Sequence, residues 1–225
     1  VPYNLSGVIW YQGEANIGRP EQYAHQFPNL IKQWRKRWGD AEWPFYFVQI
    51  APFNYGNPHG VARIVEAQKE AFSLANTGMA ATADIATYYD IHPPEKEEVG
   101  RRLALLALHH TYGMDSLVCE GPAVDEVTAT GNQLRLSFDT GGGSLFYSGD
   151  YGGTQSFHVA GADRIFYPAD VEQEGNTLLL SSKKVGEPLH ARYLWFNRAN
   201  ATLFNSFGLP ALPFRSDAWD NALFH

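Results

Sequence analysis

The run GVIWYQ, residues 7–12, is a short apolar stretch that breaks directly into the polar loop Gly13-Glu14-Ala15-Asn16. That is the pattern of a buried strand delivering a polar loop at its end. Downstream, Pro20 opens a helix that places Tyr23, Phe27, Leu30, Ile31, Trp34 and Trp38 on one face, and Gly39 closes it. PFYFVQIA (44–51) is a second buried strand, followed by the Asn/Gly/Pro-rich loop FNYGNPHG (53–60). ARIVEAQKEAFSLA (62–75) predicts a second helix with Ile64, Ala67, Gln68, Ala71 and Phe72 inward, and TGMAATAD (77–84) a third strand. The loop IATYYDIHPP (85–94) then leads into a third helix. Pro94 suits its first turn, Glu95, Glu97 and Glu98 suit its positive end, and Gly113 caps it near Tyr112. Val99, Leu103, Leu106, Ala107 and His110 form its inward face. Strands alternating with helices predict an α/β fold with a parallel sheet covered by helices.

Helical periodicity stops after about residue 118. TGNQLRLSFD (130–139) and EGNTLLLSS (174–182) each carry a Gly-Asn turn before an alternating or apolar strand. GGGSLFYSG (141–149), SFHVAG (156–161) and HARYLWFN (190–197) supply further strands, with turns at GGG (141–143) and GDYGG (149–153). The expected organisation is an α/β portion over 1–117, a small antiparallel β domain over 118–205, and an extended, Pro-rich tail over 206–225 that packs back on the body.

Composition bounds the function. The net charge is −7 and no Lys/Arg stripe is present, which argues against nucleic acid as a partner. The nearest basic run, KQWRKRW (32–38), reads as a solvated helix face. No apolar run approaches the roughly 20 residues a membrane helix needs. Cys119 is the only cysteine, so neither an internal disulfide nor a cysteine-based zinc site is expected; no His/Glu spacing typical of zinc is present, His59, His109, His110, His158 and His190 read as structural or solvated, and no cofactor or metal is expected. Aromatic residues make up 14%, which fits either a packed β-rich core or a sugar-binding surface.

Ligands of parallel α/β sheets sit at the carboxyl ends of the strands. Two polar loops leave such ends, Gln12-Gly13-Glu14-Ala15-Asn16 and Asp90-Ile91-His92-Pro93. A loop His beside an acid can serve as an oriented general base, although a loop His is by default a solvated or capping residue. Gly13 lets backbone approach a ligand, and Gln12 or Asn16 can donate to a developing oxyanion.

Longer blocks sharpen this. WYQGEAN (10–16) resembles the W-Y-Q-G-E-S-N block of SGNH-type carbohydrate esterases related to sialate O-acetylesterase. DIHPPEKEEVGRRLALLAL (90–108) resembles their histidine block. VEAQKEA (65–71) resembles their R-E-A-Q helix, with Val65 in place of Arg. WFNRANATLFNSFGLPALPFRSDAW (195–219) resembles the end segment of sialate O-acetylesterase-type proteins. The resemblance implies a partial flavodoxin-like sheet and a Ser-His-(Asp) mechanism that removes acetyl groups from O-acetylated sialic acid or another acetylated glycan. It implies His92 as the base, and Gln12, Gly13, Glu14 and Asn16 as the oxyanion and substrate block. Asp90 is the first candidate for the acid and Asp84 the second; a backbone carbonyl orienting the imidazole is the third alternative.

The family's Ser-x-x-G-G block has no counterpart here. Ser6 precedes the first strand, Ser137, Ser144, Ser148, Ser156, Ser181 and Ser182 lie in the β portion, and Ser206 lies in the tail. The expectation is a fragment or processed subunit that is inactive alone, prone to self-association, and dependent on an N-terminal part carrying the serine. The compartment implied by the resemblance is secreted, periplasmic or lysosomal. Arg19, Arg63 and Arg215 are candidates to meet a sialate carboxylate. The competing function is a non-catalytic carbohydrate-binding or structural module with an exposed aromatic platform.

Overall fold

A computed structural model describes residues 3–151, 154–198 and 200–225. Gly152 and Gly153 of the GDYGG turn lie outside the described residues. The chain divides into two compact units, one reaching from the N-terminus to Glu120 with Phe196–Arg198 added, the other comprising Gly121–Trp195 and Ala199–His225.

The first unit is built on three parallel strands in the order β1 (Val8–Trp10), β2 (Phe45–Val48), β3 (Thr77–Ala80). All four residues of β2 are buried, as a central strand covered on both faces requires. Helix α1 (Pro20–Trp38) begins on its Pro and ends at Gly39, whose left-handed φ of 78° suits glycine. Its inner face is aromatic: Phe27 meets Phe45 and Phe47, and Trp34 meets Trp10 and Phe45. The aromatic surplus is core packing here. The basic run is not wholly solvated: Arg35 is buried and donates to the carbonyls of Trp43 and Ala75 at 2.9 and 2.5 Å.

Two helices depart from the periodicity. Helix α2 (Gly60–Lys69) tightens into a 3-10 turn over Glu70–Ser73, which carries Phe72 out to 42% exposure, although its ring still touches Phe47. Helix α3 (Lys96–Leu106) starts two residues after Pro94: Glu95, at φ −75° and ψ 57°, lies outside the helical region, and the Lys96 N–H donates to the Pro94 carbonyl at 2.7 Å in a tight turn that precedes the helix. Its last turn, Ala107–Thr111, is π-helical, and the added residue turns His110 outward rather than inward. Val99, Leu103 and Leu106 pack on Tyr46, Val48, Ala80 and Cys119. Burial, reinforced by the charge of Glu120, pushes the Cys119 thiol up to about 11. Among the described residues no helix is long and apolar enough to cross a membrane.

The second unit is antiparallel in the main. One sheet runs β4 (Ala123–Thr130), β5 (Gln133–Asp139), β10 (Thr177–Ser181), β9 (Asp170–Glu174). A second runs β13 (Phe214–Arg215), β11 (His190–Tyr193), β7 (Phe157–Ala160), β8 (Ile165–Pro168), β14 (Leu223–Phe224), with β14 parallel to β8. A short pair joins β6 (Leu145–Tyr147) to β12 (Leu203–Asn205). The tail thus contributes two short strands, β13 and β14. It is fastened by Arg192, which grips the buried Asp217 carboxylate at 2.6 and 2.8 Å. Burial alone would raise the Asp217 carboxyl, but hydrogen bonds from Arg192 and the Trp219 backbone, with the charges of Arg192 and Arg215, together hold it low.

Candidate active-site edge

Because β1, β2 and β3 are parallel, the loops that follow them emerge on one edge. These loops are 11–19, 49–59 and 81–95, and they contain Gln12, Gly13, Glu14 and Asn16 on the first and Asp84, Asp90 and His92 on the third.

The first loop is pinned from inside. Glu14–Asn16 form one 3-10 turn. The Tyr23 hydroxyl lies 3.1 Å from the Gln12 carbonyl and 3.2 Å from its Oε1, both of which accept. Gln12 Nε2 donates to Asn16 Oδ1 at 2.9 Å. This fixes the amide with Oε1 on the phenol and leaves the second Nε2 hydrogen as a donor. Burial first, and then the Glu14 charge, push Tyr11 and Tyr23 up to about 12. Tyr55 is raised by the same two causes in that order. The three phenols therefore stay protonated, and the Tyr23 hydroxyl donates to the Gln12 loop.

Gly13 is buried against Ile50, and a Cβ built there would stand 2.6 Å from Ile50 Cγ2. Ile50 is fully buried, so the loop would have to move. Gly13→Ala is expected to cost about 1–3 kcal/mol, as overpacking does. The urea midpoint of the variant measures this; an unchanged midpoint would show that the loop gives way freely.

His92 is exposed, and its backbone N–H donates to Asp90 Oδ1 at 2.8 Å. Asp90 therefore closes a local Asx turn on the amide of His92. Among the described residues the His92 ring has no hydrogen-bond partner. Asp84 is committed elsewhere. Both its oxygens accept from Arg102 at 2.6 Å, and Arg102 also donates to the Ala81 carbonyl at 2.7 Å and to Glu98 at 2.8 Å. The His92 and Gln12 loops approach each other through Lys96, which holds the Pro93 carbonyl at 2.7 Å and sits 5.4 Å from the Tyr11 ring.

Sequence reasoning missed the segment Phe196–Arg198. Asn197 joins it to the loop after β2: its N–H donates to Pro58 O at 2.8 Å, its Nδ2 to Asn57 O at 2.7 Å, and its Oδ1 accepts from Val61 N at 2.9 Å. A pocket of ≈ 130 Å³ results, lined by Asn54, Pro58, Tyr88, Phe196 and Arg198 among others. The Arg198 guanidinium lies 5.9 Å from the Tyr88 ring, and among the described residues no carboxylate pairs with it. Of the nominated cations, Arg63 pairs with Glu21 and Arg215 with Asp220, and Arg19 is exposed. Arg198 gave no signal in sequence because it lies more than a hundred residues from the loops it joins.

Comparison with known proteins places these loops in context. Residues 2–109 match the model of a carbohydrate esterase family described as sialic acid-specific acetylesterase. The sialate O-acetylesterase of Mus musculus is 32% identical over 157 residues, which are 60% of this chain and 29% of that protein. That of Homo sapiens is 33% identical over 143 residues, 55% of this chain and 27% of that protein. The crystal structure of a carbohydrate acetylesterase from Xanthomonas citri superposes with a TM-score of 0.89 at 39% identity, covering 97% of this chain and 52% of that one. The matched segments thus span under a third of the curated relatives and about half of the Xanthomonas chain. Over residues 2–109, which carry the strand-end loops of the candidate site, this chain is similar to the sialic acid-specific acetylesterase family of carbohydrate esterases.

Proposed function

We propose that this chain is the histidine-bearing portion of a carbohydrate O-acetylesterase whose nucleophilic serine lies outside these 225 residues. The observation that carries the proposal is the placement of the Gln12 and His92 loops on one edge of the parallel sheet, linked through Lys96 and Tyr11. None of the three strand-end loops contains a serine. Among the described residues strand β1 pairs only with β2, which leaves an edge that suits a further strand. Such an addition would complete a flavodoxin-like sheet of the SGNH type. In the assembled site the serine hydroxyl attacks the acetyl carbonyl while His92 takes its proton. The Gln12 amide stabilises the oxyanion, and the imidazolium protonates the departing sugar alkoxide. Water activated by His92 then releases acetate.

The pocket beside the edge supports an acidic sugar as substrate. Arg198 supplies a cation, and Tyr88 and Phe196 supply flat apolar walls. Removing a charge-assisted contact costs about 1.5–3 kcal/mol, or about 10- to 100-fold. In the full-length protein, Arg198→Ala should lower kcat/KM for an O-acetylated sialic acid by that factor relative to 4-nitrophenyl acetate. An unchanged ratio would remove Arg198 from substrate recognition without touching the esterase assignment.

The assignment itself is tested with a fluorophosphonate on the full-length protein. The label should map to a serine outside residues 1–225, and the isolated chain should hydrolyse 4-nitrophenyl acetate no faster than free imidazole. A labelled serine within this chain would refute the proposal.

A further inference from the structure

Helix α3 leaves the strand-end edge at Lys96 and runs roughly 16 Å to the opposite edge, where its ladder opens into the π-helical turn Ala107–Thr111. The turn brings two consecutive histidines together: the rings of His109 and His110 stand edge to face with centroids 4.6 Å apart. The chain then returns to place Cys119 against them, with Sγ 3.6 Å from His110 Nε2. One nitrogen of each ring and the sulfur all lie within 4.8 Å of one another.

We propose that His109, His110 and Cys119 form a binding site for a zinc-class divalent cation at the edge of the sheet remote from His92. Tetrahedral zinc, with Zn–S of about 2.3 Å and Zn–N of about 2.0–2.1 Å, holds its sulfur and nitrogen ligands about 3.6 Å apart. That is the separation already present between Cys119 and His110. His109 is also oriented for coordination. Its Nδ1 lies 2.8 Å from the Leu117 carbonyl, which can only accept, so Nδ1 carries the proton and Nε2 keeps the lone pair. A ring anchored on its second nitrogen is the usual support of a metal-ligating histidine.

The far side of the cluster is rigid. Tyr46 stacks on His110 at 6.2 Å, and its hydroxyl is 2.7 Å from Thr111 Oγ1. Cys119 is only 8% exposed and packs in the core with Tyr46 and Leu106. His110 is exposed, so an ion enters from solvent and a water completes the fourth position. Thiolate with two imidazoles favours zinc-like ions over magnesium or calcium, which take oxygen ligands. On binding, the Cys119 S–H bond is replaced by a metal–sulfur bond and the proton leaves to solvent; nothing is oxidised or reduced. The role is structural, tying the end of α3 to the strand-proximal loop.

The test titrates the reduced, metal-free chain with cobalt(II) and back-titrates with zinc. One cobalt ion per chain should bind with a thiolate-to-metal charge-transfer band and tetrahedral visible bands, and zinc should abolish both. Zinc should also raise Tm. Cys119→Ser should remove the charge-transfer band, and His110→Asn, at an exposed position that spares the core, should weaken zinc binding about 10-fold or more. A wild-type chain with no charge-transfer band, or zinc affinity unchanged in His110→Asn, would overturn the site.

Discussion

In the full-length protein, replacing His92 by alanine is expected to lower acetyl-ester hydrolysis by about 10⁴-fold or more, the scale seen when a base that works as a unit with its nucleophile is removed. The substitution itself is structurally mild. His92 is exposed, and the interaction that shapes its turn is made by its backbone N–H, which alanine keeps. Folding should therefore be unchanged while turnover collapses. A His92→Ala protein that retained more than about a tenth of its activity would remove His92 from the mechanism. Asp90 makes the contrast. Its carboxylate accepts from the His92 amide, and an Asn side chain offers the same acceptor. Asp90→Asn should therefore preserve the turn. If Asp90 only shapes the loop, its activity stays within about 10-fold of wild type. If Asp90 swings to the imidazole in the assembled site, the amide sets the wrong tautomer and the loss approaches 10⁴-fold. The two outcomes separate an orienting acid from a loop-forming residue, and kcat as a function of pH adds a second readout, because only the orienting role moves the base.

How far the sequence reached depends on the distance over which its signals act. The apolar runs at 7–12, 44–51 and 77–84 predict three buried strands, and those strands are present, in parallel and in sequential order. Gly39 as a cap and Tyr23, Phe27 and Ile31 as an inner face are local, periodic features and were legible for that reason. The shift in character near residue 118 was also legible, because alternation replaces helical periodicity over several strands. What stayed hidden was nonlocal or depended on one extra residue. The π-helical turn leaves His110 exposed, which no residue-type pattern signals. The identity of Arg35 as a buried donor depends on carbonyls at Trp43 and Ala75. The Asp84–Arg102 pair joins a strand end to a helix interior across eighteen positions, so Asp84 reads equally well as a free acid until the fold is seen. The candidate site divides the same way. The loops and their residue types were readable, whereas the Arg198 pocket wall needed the return of Phe196–Arg198 to the first unit.

That Asp84–Arg102 pair carries the largest stability prediction. The Arg102 side chain is only 4% exposed and the Asp84 side chain 15%, and the guanidinium satisfies the carboxylate twice, the Ala81 carbonyl once and Glu98 once. Arg102→Met would leave a largely buried carboxylate and a buried carbonyl without their donors. Breaking one side of such a pair typically costs about 3–5 kcal/mol, far above an exposed ion pair. For a unit of this size the shift in Tm should be about 10–20 °C. The double variant Arg102→Met/Asp84→Asn removes the stranded charge and should recover about half of the loss, which a double-mutant cycle in urea measures. The same network sets an acid limit. A hydrogen bond from Arg101, and then one from Arg102, hold the Glu98 carboxyl below its ordinary range. A depressed carboxyl contributes stability that is present above its unfolded pKa and lost as pH falls through the folded one, so the wild type should weaken below the ordinary glutamate range. In Arg102→Met part of that acid dependence should already be gone. A variant with an unchanged urea midpoint and an unchanged acid limb would show that the buried guanidinium merely fills space. The stake extends beyond stability, because α3 begins at Lys96, the residue that holds the Pro93 carbonyl beside His92. Loosening the Arg102 anchor should therefore also blur the position of the candidate base, lowering kcat in the full-length protein at temperatures where it is still folded.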